Sequence, residues 1–382
     1  MPNTLTNLIP DAYAALDVVS RELVGFIPSV ARDPKADMVA VNETLRIPVT
    51  PANTAGGNIT AAMSLPSAAD QTVGNKTLTI SKSRFYPFSW SGEEEMAINK
   101  GAGYLTVKQD QIAQAMRGLV NEMESDIAVA AYKGASRAYG TGGITPFASS
   151  LIDPANVKKI LDDNGAPADR SLVIDTTAGA KMRTLAQLTK ANEAADTSML
   201  RQGTLLDLHG FAMRESSKVA VTTKGTGANY LVDLAANYAI GDTAIHIDTG
   251  TGTILAGDTV TFANDANIYV VATGCAGDGD QDIVLAAPGL RKALANNATV
   301  TVGGDFTPNV GFSRNAILLA TRLPAISAEG DLASDRQTIF DERTGISFEI
   351  AVYPGWRMNV YHVSLAWGVS VIKPEHVAIL LG

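Results

Sequence analysis

The sequence predicts an α+β protein with an all-β insertion, and three observations carry that expectation. Residues 104–133 keep one apolar stripe at helical spacing: Ile112, Met116, Leu119, Met123, Ile127 and Ala131. Residues 219–304 lose helical patterning and repeat short alternating strands between Gly- and Asp-rich turns. The C-terminal stretch SLAWGVSVIKPEHVAILLG reads as two short strands broken at Lys373-Pro374. Pro374 has no N–H for a ladder and biases Lys373 to extended backbone.

From the N-terminus, residues 11–27 predict an amphipathic helix, with Ala12, Leu16, Val19, Leu23 and Phe26 on one face and Pro28 as the stop. A short lone helix cannot bury its stripe, so a partner surface must exist. Residues 38–49 predict a strand. A long hairpin over about 50–90 follows, punctuated by Gly56-Gly57, Pro66 and Gly74-Asn75, with KTLTISKSRF alternating in period two. Its small, polar tip has little apolar content, so we expect it to lie on another subunit. Glu93-Glu94-Glu95 is either a solvated helix start, favoured by the helix dipole, or a contact for a basic neighbour.

Thr106 and Gln109 have capping-box spacing for the long helix, and Gly134 fits its stop. Asp153-Pro154 predicts an N-cap followed by Pro at the first helical position, and Gly165 ends that helix. Leu172–Ile174 predicts a buried strand, Thr177–Lys190 a helix with Met182, Leu185 and Leu188 inward, and Gly203–Glu215 a turn and strand. In the insertion the strands are Ala244–Ile247, Thr259–Phe262, Ile268–Ala272, Asp282–Leu285 and Ala298–Val302. Their core should be Ile245, Ile247, Val260, Phe262, Tyr269, Val271, Ile283, Leu285 and Val300. Sheet resumes at 312–382, where Ala316–Leu323 is apolar throughout and Ile346, Phe348, Ile350 and Val352 alternate.

The length of 382 residues implies two or three domains. Charged residues are 18%, below the usual quarter or so. That suits a protein that hides surface in an assembly, and also a β-rich enzyme. The net charge is −9 and no Lys/Arg run is interleaved with aromatics, which argues against direct sequence reading of nucleic acid. An acidic wall around packaged DNA remains compatible. Cys275 is the single cysteine, so no disulfide forms within the chain and no thiolate metal cluster exists, as fits a reducing cytosol. The N-terminus lacks a signal-peptide pattern, and no apolar run reaches the roughly 18 residues of a membrane span. We expect both chain ends to be held by neighbours and no propeptide to be removed.

Motifs that could carry chemistry have plainer readings. Asp248-Thr249-Gly250 matches the aspartic-protease triplet, but Asp175-Thr176-Thr177 lacks the Gly of a second one. Asp278, Asp280 and Asp282 alternate as in a calcium loop, but Gly289 stands where the loop needs its final Glu. His209, His246, His362 and His376 lack metal-ligand spacing, and Cys275 sits in a Gly-rich turn without a nearby base.

The C-terminal Trp-Gly-Val, basic-Pro-Glu turn and terminal apolar strand are similar to the end of tailed-phage major capsid proteins. GDTAIHIDTGTGTILAGDTVTF at 241–262 with the following IYVVATG, and GTLLDLHGFAMRES at 203–216, resemble an inserted barrel and the strand leading into it. In this order, over essentially the whole chain, the sequence resembles the Hong Kong ninety-seven-type capsid fold. The nearest branch is that of podovirus coat proteins, which carry an inserted β-barrel domain. The resemblance implies an N-terminal helical arm at 1–37, and a peripheral-domain strand with extended loop at 38–103. It implies a spine helix at 104–134 and a first apical part at 135–218. The inserted barrel then falls at 219–304 and the apical and peripheral closing sheet at 305–382. Only Lys224 to Asn237 separates the first insert strands, so the long clasp of the best-known members is not expected here.

The implied function is structural. Pentamers and hexamers of the chain close an icosahedral shell around double-stranded DNA, without sequence-specific binding, membrane, catalytic residue, cofactor or metal. The implied partners are further copies, a scaffolding protein during assembly and a portal protein at one vertex. The implied location is the virion, assembled in the host cytoplasm. Leu16, Val19, Leu23 and Phe26 would dock the arm. Gly56, Gly57, Gly74 and Asn75 would shape the intersubunit hairpin, and Glu93, Glu94 and Glu95 would be either a solvated helix start or, in an assembly, a contact for a basic neighbour. The alternatives are an aspartic-type hydrolase using Asp248 and a tail-tube subunit; the long helix before an α/β region disfavours the second.

Overall fold

The long apolar stripe folds as helix α2, Tyr104–Lys133, after the short α1, Gly92–Asn99. Ile112, Met116, Leu119, Met123, Ile127 and Ala131 are fully buried, and the helix is about 45 Å long at 1.5 Å per residue. A computed structural model describes all residues except 1–23, 51–58, 60, 62–72, 100–103, 149, 190–204, 206, 235 and 342–345. Because α2 starts at Tyr104, Thr106 lies inside its first turn and is not its cap. At the other end a Cβ on Gly134 would lie 2.6 Å from Val371, so the chain turns there against the sheet.

That sheet has six strands: β1 (Ala31–Val39), β4 (Lys82–Ser91), β15 (Ile317–Pro324), β16 (Asp335–Asp341), β17 (Ile346–Gly355) and β18 (Met358–Val371). β18 is central. β4 pairs along one edge, from Met358↔Ser91 to Trp367↔Lys82. The other edge is shared by β17, at Met358–Ser364, and then β15, at Ala366–Val371. β16 flanks β17, and β1 runs parallel to β15. Val363, Leu365, Trp367, Phe348 and Ile350 join the buried stripe of α2 in one core.

Two expectations change here. The predicted strand 38–49 is broken at Val41-Asn42, where Asn42 has φ +73°, into β1 and β2 (Thr44–Val49). The hairpin predicted over about 50–90 is a ribbon of β2 with β3 (Gly74–Thr79). After Ile80-Ser81 the chain leaves the ribbon and becomes β4. Gly74 and Asn75 therefore pair with Val49 and Pro48 inside the ladder, not at a tip.

The second sheet holds β5 (Arg137–Tyr139), β6 (Arg170–Ile174), β7 (Phe211–Glu215), β14 (Pro308–Ser313) and β19 (Val377–Leu381) in the order β5-β19-β14-β6-β7. α3 (Ile152–Asp163), α4 (Thr176–Met182) and α5 (Ala186–Thr189) pack on it through Val157, Leu161, Met182, Leu185 and Leu188. Asp153 is not the cap of α3: it lies within the helix and accepts the Phe147 N–H at 2.7 Å. The predicted helix 177–190 is split at Arg183–Leu185, and Thr189 is its last described residue.

Residues 219–304 form β8 (Tyr230–Val232), β9 (Ala244–Asp248), β10 (Thr259–Phe262), β11 (Ile268–Thr273), β12 (Gln281–Leu285) and β13 (Thr299–Val302). The pairings run β10-β13-β8-β9-β12-β11 and return from β11 to β10, so six strands close a barrel. β8 lies between Lys224 and Asn237, in the stretch read as a plain connection, and without it the ring would stay open. Ile245, Ile247, Val260, Phe262, Tyr269, Val271, Ile283, Leu285 and Val300 are buried in one cluster. Thr222 bridges to Phe306, so entry and exit of the barrel lie side by side. β11 also pairs with β5, at Ile268↔Ala138 and Tyr269↔Arg137, and so belongs to both sheets. Arg137 is buried at this junction, with Nη1 donating to Asn267 at 3.1 Å and Nη2 3.6 Å from Asp163.

Candidate assembly surfaces

Among the described residues the ribbon is seated on its own subunit mainly through its base, with Leu45 and Ile47 half-buried against the same cluster. Leu78 and Ile80 are buried with Val39, Ala320 and Ala366 on the face of the six-stranded sheet opposite α2. A Cβ on Gly368 would meet the Thr79 carbonyl oxygen at 2.2 Å, and Ser81 N–H donates to the Trp367 carbonyl at 3.1 Å. The Trp-Gly-Val motif thus divides its work between two faces. Trp367 points at α2, where its Nε1 donates to Asp126 at 2.9 Å, and Gly368 leaves room for the ribbon. Further out, Thr44, Arg46, Pro48 and Gly74–Thr77 are exposed. Gly56 and Gly57 lie outside the described residues.

Charge locks β4 to the helix just below. Lys82 Nζ reaches Glu122 at 3.0 Å and Asp126 at 2.9 Å, and Arg84 reaches Glu122 at 3.0 Å. Burial pulls the Lys82 ammonium down, but the hydrogen bonds to Asp126 and Glu122 outweigh it and hold it above its ordinary value.

The arm residues Leu16, Val19 and Leu23 lie outside the described residues. Phe26 does not continue a docking helix: residues 25–30 form turns and bends, and Phe26 is fully buried, stacked on Phe312 with centroids 6.1 Å apart. What holds this turn is a side chain the sequence did not single out. Glu124, fully buried on α2, accepts the N–H groups of Gly25 at 2.6 Å, Phe26 at 2.8 Å and Ile27 at 3.0 Å. Burial pushes its carboxyl above the usual range, against the downward pull of these bonds and one from Ser216. No local signal marks this contact, because its partners lie 97 to 99 residues apart in sequence.

Glu93, Glu94 and Glu95 form the first turn of α1. Glu94 accepts Ser91 N–H at 2.9 Å and its hydroxyl at 2.8 Å, while Ser91 Oγ accepts Glu94 N–H at 3.3 Å, a reciprocal capping box. Those bonds hold the Glu94 carboxyl below its ordinary value. Glu93 is exposed.

The motifs weighed for chemistry serve local structure. Asp175 caps α4, its carboxylate accepting N–H from Thr177 and Ala178. Asp278 accepts Gly252 N–H at 2.6 Å, and Asp282 lies 2.8 Å from His246 Nδ1, which raises the imidazole pKa. Cys275 is buried, with Sγ 3.9 Å from the Tyr230 hydroxyl. Among the described residues no group of three or more His, Cys, Asp or Glu side chains could hold a metal ion, and no helix is long and apolar enough to cross a membrane.

No family model matches the sequence, and no curated protein matches it. Solved structures do. A structure from Mycobacterium phage Che8 is 14% identical with a TM-score of 0.50, covering 94% of this chain and 90% of that one. The capsid structure of the cyanophage P-SCSP1u is 11% identical with a TM-score of 0.52, covering 94% of this chain and 88% of that one. At such identities the likeness is one of architecture, and it spans nearly every element described above. The chain has the α+β Hong Kong ninety-seven-type capsid fold.

Proposed function

We propose that this chain is the major capsid subunit of a tailed phage, many copies of which close an icosahedral shell around double-stranded DNA. The observation that carries this reading is the shared fold with the cyanophage capsid structure over 94% of the chain. In this reading residues 1–37 are the arm, 38–103 the peripheral strand and extended loop, and 104–134 the spine. Residues 135–218 and 305–382 make the apical and peripheral parts around the barrel at 219–304. The barrel adds surface outside the shell. Closure follows from repeated heterologous and two-fold contacts whose angles are set by subunit shape. A scaffolding protein would guide assembly, a portal protein would occupy one vertex, and assembly would take place in the host cytoplasm.

The seated ribbon supports the same reading. Its base is anchored by Leu78 and Ile80 and its outer residues are exposed, the arrangement expected of an element that completes its burial on another copy. The low share of charged residues fits subunits that lose thousands of Å² of surface to neighbours. The test is to produce the full chain with and without a co-expressed scaffolding protein and image it by negative stain. Closed spherical particles are expected. Tubes, or soluble subunits under both conditions, would overturn the reading. In the same assay Asp248→Asn should assemble as the parent does, since the reading gives that carboxylate no chemistry.

A further inference from the structure

The sheet face opposite α2 is covered at one end by the chain's own ribbon and open at the other. At the open end Phe85, Glu349, Ala351, Tyr353, His362 and Ser364 surround a recess of about 290 Å³, walled on one side by the loop from Pro324 to Asp331. Glu349 is 4% exposed. Its Oε1 lies 3.4 Å from the Ser364 hydroxyl and 3.8 Å from Arg336 Nε, a long contact, because Arg336 is drawn towards Asp331 and Tyr353. Its Oε2 has no hydrogen-bond partner among the described residues. Burial holds the carboxyl above the usual range. An acid kept in such a place without a full set of donors is costly, so a donor should arrive in another state of the protein.

The walls say what kind of donor. The Phe85 ring, 56% exposed, stacks on His362 at 4.7 Å, and Tyr353 lies 4.8 Å from the same imidazole. Aromatic walls over a carboxylate floor suit a planar cation, which can stack and hydrogen-bond at once. A guanidinium has that form; an ammonium does not.

The chain carries such a cation on a protruding element. β17 and β18 are joined by the two-residue turn Trp356-Arg357. Trp356 is 88% exposed, and Arg357 is held at φ +58° with its guanidinium 6.0 Å from the indole centroid. Among the described residues no carboxylate pairs with Arg357. Trp and Arg are the residues that most often anchor interfaces. The turn cannot fold back into its own recess, because the rigid strand from Glu349 to Trp356 keeps them about 23 Å apart.

We propose that the Trp356-Arg357 turn of one copy docks in the Glu349 recess of a second copy. The guanidinium enters the recess, the Glu349 side chain turns its buried, unpaired Oε2 to meet it, and the indole covers the exposed Phe85. The contact rests on the shell reading and names one joint within it.

Cysteine pairing tests it in the full chain, since the natural Cys275 is buried. Pro354→Cys and Ser327→Cys, at the exposed foot of the turn and on the exposed rim of the recess, are combined, leaving Trp356 and Arg357 in place. Mild oxidation of assembled particles should give a ladder of disulfide-linked multimers on a non-reducing gel, absent from either single variant. Particles without the ladder, or the same ladder from Pro354→Cys alone, overturn the contact. A second arm does not depend on cysteines. Arg357→Glu should lower particle yield at least ten-fold, and Arg357→Lys should lower it too, though less, because an ammonium keeps the charge but cannot stack; undiminished assembly of Arg357→Glu overturns the proposal. If the parent chain itself forms no particles, the shell reading fails and this joint fails with it.

Discussion

Gly368 lies so close under Thr79 that a Cβ there would come within 2.2 Å of the Thr79 carbonyl oxygen. The opposing atom is backbone, so no side chain can swing aside. Gly368→Ala should lift the ribbon base and expose Leu78 and Ile80, at a cost of about 1–3 kcal/mol for the overpacking. Urea unfolding of the unassembled subunit would measure it, with protease sensitivity at 74–81 as a local readout. An unchanged midpoint and cleavage rate would show that the ribbon base is not held there.

Glu124 is the sole described carboxylate receiving the N–H groups of Gly25, Phe26 and Ile27. Glu124→Gln keeps one acceptor but turns an NH2 group towards a backbone donor. The subunit should lose about 1–3 kcal/mol, the penalty for a buried donor left without an acceptor. Hydrogen exchange should quicken at residues 25–30 while the barrel amides stay unchanged. Uniform quickening across the subunit would mean that Glu124 supports the core generally rather than this turn.

Glu349 gives a pH dependence of defined sign. Its folded-state value is raised, chiefly by burial, so its contribution to stability is fully present below the ordinary Glu range. That contribution is lost as pH rises through the folded value. Glu349→Gln removes the titration. The melting temperature of the variant relative to the parent should therefore climb from pH 4 towards pH 8 in unassembled subunits. A difference that stays flat with pH would contradict the burial argument.

Removing residues 53–72 keeps both strands of the ribbon and deletes only its outer part. The subunit should remain folded, with an unchanged melting temperature, because the seat at Leu78 and Ile80 is retained. Particle formation should stop. Normal particles from this deletion would show that the ribbon is not an intersubunit element.

The barrel should fold alone. All six strands of the ring lie within 219–304, and its ends come together where Thr222 bridges to Phe306, two residues beyond the segment. The isolated segment should unfold cooperatively with a β-type circular dichroism spectrum. Tyr230→Phe should weaken it by about 1 kcal/mol, since that hydroxyl lies 2.6 Å from the carbonyls of both Gly252 and Gly277. A non-cooperative melt would mean that β5 is needed to hold the ring.

What was legible followed from periodicity. The α2 stripe is unbroken over its whole length, so both its existence and its buried face could be read. The barrel core was readable for the same reason, strand by strand. The break at Ile80-Ser81 was hidden because the period-two alternation of KTLTISKSRF continues while the pairing partner changes from β2 to β18. β5 and β8 have three residues each, too few to show a period, yet one joins the two sheets and the other closes the barrel. Asp153 carries a cap's chemistry but binds a loop N–H instead. Glu124 and Glu349 could not be singled out, because their meaning lies in partners brought together only by the fold.

β11 has a mechanical consequence. A domain hung on two chain crossings would swing when pushed. Here the strand Ile268–Thr273 is laddered to both β10 and β5, and Arg137 pins the crossing through Asn267 and Asp163. A force on the barrel is therefore carried as shear along backbone hydrogen bonds into β5 and β19, where several bonds must fail together. The barrel behaves as a lever welded to its mount. Any load it meets would reach the rest of the chain as torque, not be lost in a hinge.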